Sequence, residues 1–519
     1  MRLLSENLNL NDKYTLIEDN SLSFKDKVFS LYSEDTLRDL FCEDIPDFKH
    51  DELEYFKKLL EEIMSKKLKV LIVSDYDCDG VLALVIFSRL LDNLKIDYKY
   101  YIPSRIKEGY GLNDTIVDRA IKYHFDVLIT IDNGVSAIDQ LKKLKENGIR
   151  TVVIDHHEYT NRPDTDVFLH PFIFDDYYHY MCSGALTLMI SRAYMMDDYS
   201  VVLAMITVLS DVMKVYGVNS QILKSGIRIL NEQRYLPIVN ILDKETYSYG
   251  DMSFGVIPKI NAISRMDHMT NVNILVKYFM DLDHDNRDTA LQIEKINNLR
   301  KDLSASMYEK GLKMINENNT INVIYDNEFY EGLCGIAANK IVSSTSKPAI
   351  VMALTNGIYK GSGRSIDGIN LYDSLKKYDG YLAFGGHEKA VGLSINKDKL
   401  DNFIDYINNL NVDYKPSKKK LIRIGMDDLT YDNIMFLESL KPFGEGFAEP
   451  LFYIEKPVIK SCFMIKNLYP KYTLANGIEA ISFDSRLKVQ SCEGFIGNIE
   501  LNNYRNRIKI NISLKEIVL

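Results

Sequence analysis

Three short apolar runs, each ending in an acid, constrain this chain more than any other feature. Lys69-Val-Leu-Ile-Val-Ser runs into Asp75-Tyr-Asp77-Cys-Asp79-Gly80. Val127-Leu-Ile-Thr-Ile runs into Asp132-Asn-Gly134, and Thr151-Val-Val-Ile into Asp155-His156-His157-Glu158. Runs this short and this uniformly apolar are strands buried on both faces, which places them in a parallel sheet. Ligands collect where such strands end. Five aspartates and two histidines are therefore expected at one sheet edge.

At 519 residues the chain is too long for one core, so roughly two to four domains are expected. Residues 1–50 read as a polar N-terminal segment with short helical patterns. Residues 51–281 carry the βαβ alternation of an α/β domain with helices on both faces of its sheet. They open on an amphipathic helix with Leu53, Phe56, Leu60 and Ile63 at helical spacing. Ser104-Arg105-Ile-Lys-Glu-Gly-Tyr-Gly111 is a glycine-rich basic loop. Ser183 to Val215 is mainly helical and contains Ser210-Asp211, and Ile257 to Met266 brings in Asn261 and Arg265. The charged stretch 282–319 keeps Ile296, Leu299, Leu303 and Met307 at helical spacing and reads as a long, exposed connecting helix. Alternation restarts in residues 320–415, a second α/β domain. Its candidate ligand loops are two glycine-rich turns, Lys360-Gly-Ser362-Gly-Arg364-Ser365 and Phe384-Gly-Gly-His387-Glu-Lys-Ala390. Residues 416–519 hold short alternating strands and suggest a small β-barrel.

A net charge of −10 excludes a uniformly basic nucleic-acid coat but not a local basic groove. Six scattered cysteines without a C-x-x-C pair read as reduced thiols rather than a disulfide or zinc framework. No run has signal-peptide or membrane-span length, so a soluble, cytoplasmic protein with no membrane partner is expected.

Taken singly, a D-x-D is an ordinary turn, an acid after a strand is a helix cap, and a His-His pair is surface or core. Three strand-end acids in succession reverse that reading. At about 4 Å and an effective dielectric near 20, each like-charged pair costs about 4 kcal/mol. Several such pairs exceed the roughly 5–15 kcal/mol that stabilise a whole domain. Either the side chains diverge or divalent cations neutralise them. Asp with His suits Mn²⁺ or Mg²⁺, and two such ions can clamp a phosphoryl group and activate a water.

Asp75-Tyr-Asp77-Cys-Asp79-Gly80, Asp132-Asn-Gly134, Asp155-His156-His157 and Ser210-Asp211 resemble the four ordered motifs of the DHH phosphoesterases. The segments around Arg105, Asn261-Ala-Ile-Ser-Arg265, Gly361-Ser-Gly-Arg364, Gly385-Gly-His387 and Lys441-Pro-Phe-Gly-Glu-Gly446 are similar to the single-strand-specific exonucleases of that family. The resemblance implies a DHH domain with a parallel sheet, a long connecting helix, a DHH-associated domain and an OB-type barrel. It implies Asp77, Asp79, Asp132, His156 and Asp211 as ligands of two Mn²⁺ or Mg²⁺ ions, with Asp132 bridging. His157 would sit beside the scissile phosphate, with Asp155 supporting the histidines. Arg105, Arg265, Ser362 and Arg364 would hold a terminal 5′-phosphate, with Asn261 in the same segment as Arg265 and His387 lining the cleft. One departure stands out: Val73 occupies a position where many family members have histidine, and Asp75 is the candidate to compensate. Ile263 and Ser264 replace smaller residues.

In the C-terminal region, Lys418, Lys419, Lys420, Arg423, Lys460, Lys466, Lys471, Arg486, Lys488, Arg505, Arg507 and Lys509 interleave with Phe463, Tyr469, Tyr472, Phe483, Phe495 and Tyr504. Cations alternating with aromatics suit single strands, although many of these rings belong in a barrel core. The expected function is a metal-dependent 5′→3′ exonuclease on single-stranded DNA that releases 5′-mononucleotides in repair and recombination. The expected partner is a strand with a 5′ end, acted on by a monomer, with single-strand-binding protein and a helicase as candidate protein partners. The alternatives are a DHH phosphodiesterase on short RNA or cyclic dinucleotides, which the barrel disfavours, and a non-catalytic DNA-binding DHH protein.

Overall fold

Residues 10–519 are described by the structure, a computed structural model, apart from positions 20, 39, 43, 411, 413, 415, 483–488 and 505–506. The chain divides into two units, Cys42–Tyr414 and Met1–Phe41 with Lys415–Leu519. The first strand, β1 (Tyr14–Ile17), belongs to the second of these.

In the larger unit the apolar runs form the expected strands. β2 (Val70–Ser74), β3 (Tyr98–Tyr101), β4 (Val127–Ile131), β5 (Arg150–Ile154) and β6 (Val167–Leu169) make a wholly parallel sheet in the order β3-β2-β4-β5-β6. Every residue of β2 and β4 is buried, as a two-sided apolar run requires. The chain steps from β2 to β3 in one direction and thereafter in the other. Right-handed crossovers must then change face at β2. Accordingly, Leu71, Val73, Leu128 and Val153 pack with Ile116, Val117, Leu141 and Leu144 of the helices Asp114–Lys122 and Ile138–Glu146. The crossover from β2, Cys78–Asn93, instead packs on Ser183–Arg192 and Asp198–Ser210. A crevice opens at such a switch point, between the C-terminal ends of β2 and β4. The first two acidic motifs end there.

The charged stretch forms one helix, Arg287–Leu312, that buries Ala290, Ile293, Asn297, Ser304, Met307 and Gly311 at alternating spacings of three, four and seven. This stripe packs on the helices Ile257–Arg265 and Cys334–Thr345. A second sheet follows, of β7 (Asn322–Asp326), β8 (Ala349–Thr355), β9 (Ile358–Arg364), β10 (Tyr381–His387) and β11 (Ala390–Asn396), in the order β10-β11-β9-β8-β7. Only β7 and β8 run parallel.

Here one expectation fails. The two glycine-rich turns are largely strand: Lys360–Arg364 lies within β9 and Phe384–His387 within β10, leaving a two-residue turn at 388–389. In β9 the glycines serve packing rather than turning. A Cβ at Gly361 would collide with Met352 Cγ, and one at Gly363 would meet Val391 Cγ2 at 2.7 Å.

The smaller unit is built on an eight-stranded sheet. β12 (Lys419–Ile424), β13 (Phe452–Glu455), β14 (Ile459–Ile465), β15 (Tyr469–Leu474), β16 (Glu479–Ser482), β17 (Gly494–Tyr504) and β18 (Arg507–Val518) join β1 in the order β1-β12-β13-β17-β18-β16-β15-β14. The N-terminal segment, read from sequence as separate, is part of this unit. β1 pairs in parallel with β12, Phe24 stacks on Phe452 at 5.6 Å, and Tyr32 donates to the Ala448 carbonyl at 2.7 Å. Parallel pairing between distant segments leaves no local pattern to read. Among the described residues no helix is long and apolar enough to cross a membrane, and all six cysteines are free.

Candidate active site

Each acid of the edge is presented by a strand end or a helix end. Asp75 follows β2 directly. Asp77 caps the helix Cys78–Asn93, its Oδ1 accepting from the N–H groups of Asp79 and Gly80 at 3.0 and 3.2 Å. Asp79 accepts from the N-terminus of the helix Ser183–Arg192, with Ser183 N–H on Oδ2 at 2.8 Å and Gly184 N–H on Oδ1 at 2.9 Å. Asp132 follows β4 with φ of 62°, and its Oδ1 accepts from Ser183 Oγ at 2.9 Å. Asp211 closes the helix Asp198–Ser210 and precedes Val212 at φ 51°. Left-handed backbone at a non-glycine residue is strained and persists where the surroundings over-determine it, which is commonest at functional sites.

The two histidines diverge. His156 Nε2 lies 3.3 Å from Asp132 Oδ1, 3.3 Å from Asp211 Oδ2 and 3.8 Å from Asp79 Oδ2. It is buried and has no hydrogen-bond partner. His157 Nδ1 lies instead 2.8 Å from Asp155 Oδ1 and 3.2 Å from Tyr110 Oη. Asp155 is fully buried and also accepts from the N–H groups of His156, His157 and Val135. His170 completes the arrangement. Its Nδ1 accepts from Phe172 N–H, so its proton sits on Nε2 and donates to the His157 carbonyl at 3.0 Å.

Electrostatics follow from this crowding. Burial, and then the neighbouring carboxylates, push Asp75 and Asp132 well above the usual carboxylate range, and Asp211 up to about 8. Burial pulls His156 down, so its imidazole is neutral with a lone pair to offer. Burial also lowers His157, but the hydrogen bond and charge of Asp155 outweigh it and lift the ring to about 9. Three groups bring ligand atoms within 4.8 Å of one another: Asp75, Asp77 and Asp132; Asp79, His156 and Asp211; Asp132, His156 and His157. Asp132 is common to two of them. The nearby thiols of Cys78 and Cys182 are pushed well up by burial, so no thiolate competes. A carboxylate-rich set with an orphaned neutral imidazole fits Mn²⁺ or Mg²⁺. Val73 packs in the apolar core beneath the edge, and Asp75 stands at the edge itself.

Three guanidinium groups lie near one another, with Arg105 and Arg265 close enough to Asp77 for their charges to act on it. Arg265 ends the helix Ile257–Arg265 and donates to Gly332 O at 3.3 Å. Burial lowers it to about 10, and Arg105 and Arg364 press the same way. Arg364 ends β9, its Nη1 donating to Ser362 Oγ at 2.7 Å and to Gly363 O at 2.8 Å. Arg105 lies 4.9 Å over the Tyr76 ring. Among the described residues none of the three has a carboxylate at ion-pair distance. The helix Cys334–Thr345 begins beside them, and a Cβ at Gly335 would stand 2.9 Å from Arg364 Nη2. His387 is exposed and shares a rung with Ala390 and Arg364 across three strands. Asn261 Oδ1 accepts from Cys78 N–H at 2.9 Å, so this residue ties the Arg265 helix to the first acidic motif.

Sequence reasoning missed Ser183, Gly184, His170, Tyr110 and Gly335. The Cys182-Ser-Gly-Ala opening of an apolar helix was a usable signal for Ser183. His170 had none, because its role is a tertiary contact. In the C-terminal region Tyr472 and Phe495 are core, Phe463 is 68% exposed, and Arg423, Lys471 and Lys509 are ion-paired. Phe483, Arg486, Lys488, Tyr504, Arg505 and Arg507 lie outside the described side chains.

A parallel sheet with acids and paired histidines at its switch point, joined by a long helix to a mixed sheet bearing arginines, is the arrangement of the part of the chain that is similar to the DHH family. Residues 69–209 match the DHH family, N-terminal domain, 318–413 the DHHA1 domain and 422–516 the RecJ OB domain. Its curated relatives include the single-stranded-DNA-specific exonuclease RecJ of Bacillus subtilis (strain 168), 26% identical over 490 residues. That match covers 88% of this chain and 62% of the relative, so the chain spans less than two thirds of its length. The RecJ of Haemophilus influenzae is 27% identical over 445 residues, 77% of each chain. Among solved structures, RecJ of Thermus thermophilus in complex with Mn²⁺ matches with a TM-score of 0.79 at 20% identity, over 92% of this chain and 73% of that one. An exonuclease RecJ bound to manganese matches at 0.61 and 24%, over 70% and 95%.

Proposed function

We propose that this chain is a divalent-metal-dependent exonuclease that removes 5′-mononucleotides from single-stranded DNA in the 5′→3′ direction, in repair and recombination. The observation that carries the reading is a carboxylate cluster with arginines of opposite charge close enough to act on it. One group is the carboxylate cluster around the orphaned Nε2 of His156. The other group is three arginines that, among the described residues, have no carboxylate at ion-pair distance. The relatives' name supplies the substrate class.

In this reading Asp77, Asp79, Asp132, His156 and Asp211, with Asp75, hold two Mn²⁺ or Mg²⁺ ions. Bound there, such ions supply Lewis-acid charge and a water acidified to about pKa 7. Ser183 and the helix N-terminus behind it fix Asp79 and Asp132 before substrate arrives. His157, kept protonated by Asp155, faces the scissile phosphate and donates a hydrogen bond to its developing charge. Arg105, Arg265 and Arg364, with Ser362, take the terminal 5′-phosphate, because planar guanidinium forks match phosphate oxygens and water is largely excluded. Asn261 braces Arg265, and His387 lines the cleft from the second sheet. Binding a chain end at the arginines and hydrolysing at the carboxylates dictates exonuclease action from the 5′ side. The C-terminal unit, with Phe463 exposed, adds affinity for the strand by base stacking. A monomer acting in the cytoplasm, supplied with strands by a helicase and single-strand-binding protein, completes the proposal.

The test is a digest of end-labelled single strands with Mn²⁺. Label is expected to leave a 5′ end first, as mononucleotide, with duplex spared. Asp132→Ala is expected to lower turnover by about 10³-fold with the fold intact, as loss of several kcal/mol of transition-state stabilisation requires. Early loss of 3′ label, or equal cutting of duplex, would overturn the reading.

A further inference from the structure

The loop Ser104–Gly111 reaches the acidic motifs at one end and the segment after Arg265 at the other. At its far end Tyr110 Oη donates to the Asp132 carbonyl at 2.8 Å and stands 3.2 Å from His157 Nδ1. At its near end is Arg105. Glu108 shapes the loop from within, accepting Ser104 N–H at 2.9 Å and Tyr101 Oη at 2.7 Å. What reaches the loop from outside is Asp267, in the turn two residues beyond Arg265. Its Oδ2 accepts Ser104 Oγ–H at 2.7 Å and Ile106 N–H at 3.0 Å. The two residues so held are those on either side of Arg105. One carboxylate oxygen therefore pins one arginine-bearing segment onto the turn that follows another arginine, Arg265.

The choice of residue is informative. A carboxylate close to a site for an anion opposes binding by like-charge repulsion. Its other oxygen, Oδ1, is buried without a hydrogen-bond partner, which is a further cost. An aspartate placed so adversely for charge earns its position by what it holds.

We infer that Asp267 is a positioning residue for end recognition: it sets Arg105 against Arg265 so that the pair reads a terminal phosphate as one site. This rests on the reading of the arginines as a 5′-phosphate site. Asp267 touches no reacting atom and acts through the loop. A displacement of about 1 Å in such a group costs on the order of 100-fold in rate.

Binding of fluorescent single strands with a 5′-phosphate or a 5′-hydroxyl, measured by anisotropy in Ca²⁺, tests this without turnover. Steady-state kcat and KM on the same strands in Mn²⁺ and the thermal midpoint accompany it. Asp267→Ala is expected to weaken binding of the 5′-phosphate strand by about 10–100-fold, leave the 5′-hydroxyl strand within about threefold, and raise KM more than it lowers kcat. Asp267→Asn retains the acceptor oxygen and loses the charge, so it should discriminate ends as the parent does. Ser104→Ala, which removes one of the two bonds from the loop side, should fall between them. Equal weakening of both strands, or loss of discrimination in the Asn variant together with a lowered midpoint, overturns the inference in favour of a merely structural role. A parent that binds both ends equally overturns it too. A parent that discriminates ends but does not hydrolyse single strands leaves the inference standing and sinks the proposed activity instead.

Discussion

Two adjacent histidines with the same covalent structure carry different charges in this crevice, and Asp155 is the reason. His156 is pulled down by burial, whereas His157 is lifted to about 9 by its bond to Asp155. Because the folded value lies above the ordinary 6.5 or so, the imidazolium–carboxylate pair contributes stability that is fully present below about pH 6.5 and is lost as pH rises through about 9. In chelator-treated protein, the His157 ring is expected to titrate near 9 by NMR. In Asp155→Asn it should return toward or below 6.5, and the alkaline loss of stability should shrink. A His157 ring that still titrates near 9 in that variant would refute the pairing. At this scale the sequence was informative where a residue's own chemistry announced it. Asp77, Asp79, Asp132 and the two histidines stood out because three apolar strands in succession end in acids, one of them joined to paired imidazoles. Ser183 and His170 stayed hidden because a hydroxyl or imidazole in an apolar segment acquires a role only from what folds against it.

Strands rich in glycine and helix N-termini do much of the positioning. β9 reads in sequence as a loop, since Gly-Ser-Gly is depleted in strands and carries no alternation. Its neighbours decide otherwise: β8 and β11 flank it so closely that no side chain fits at 361 or 363. That closeness sets Ser362 and Arg364 on one backbone segment beside Gly335. Gly363→Ala places a methyl 2.7 Å from Val391 Cγ2 and 2.9 Å from Leu371 Cδ2. It is expected to cost about 1–3 kcal/mol, read as a lower urea midpoint at unchanged m. An unchanged midpoint would show that the strand has room the geometry denies. The parallel sheet, by contrast, was legible strand by strand, because burial on both faces leaves a mark in every residue.

At the scale of the whole molecule, domain order was readable but one membership was not. Residues 10–41 carry short, weak patterns, and their place comes from tertiary contacts, the pairing with β12 and the stacking of Phe24 on Phe452 among them. Phe24 and Val28 are nearly or fully buried there. Removing residues 1–41 is expected to destabilise the C-terminal unit by about 3 kcal/mol or more, on the order of 10 °C in its melting transition. The metal-dependent transition of the Cys42–Tyr414 unit should stay in place. Calorimetry with and without Mn²⁺ separates the two, and coincident shifts of both transitions would argue against the division.

The β1–β12 rung has a consequence for how the chain is made. Tyr14 and Lys419 are partners, yet about 400 residues of synthesis separate them. At about 5–20 residues per second the ribosome delivers β12 roughly 20 to 80 s after β1 emerges. Throughout that interval the strand and the apolar Phe24 and Val28 wait beside a growing sheet of other parallel strands. A segment translated long before its partner must stay unattached until then, and the weak, polar, poorly patterned sequence around β1 suits that wait.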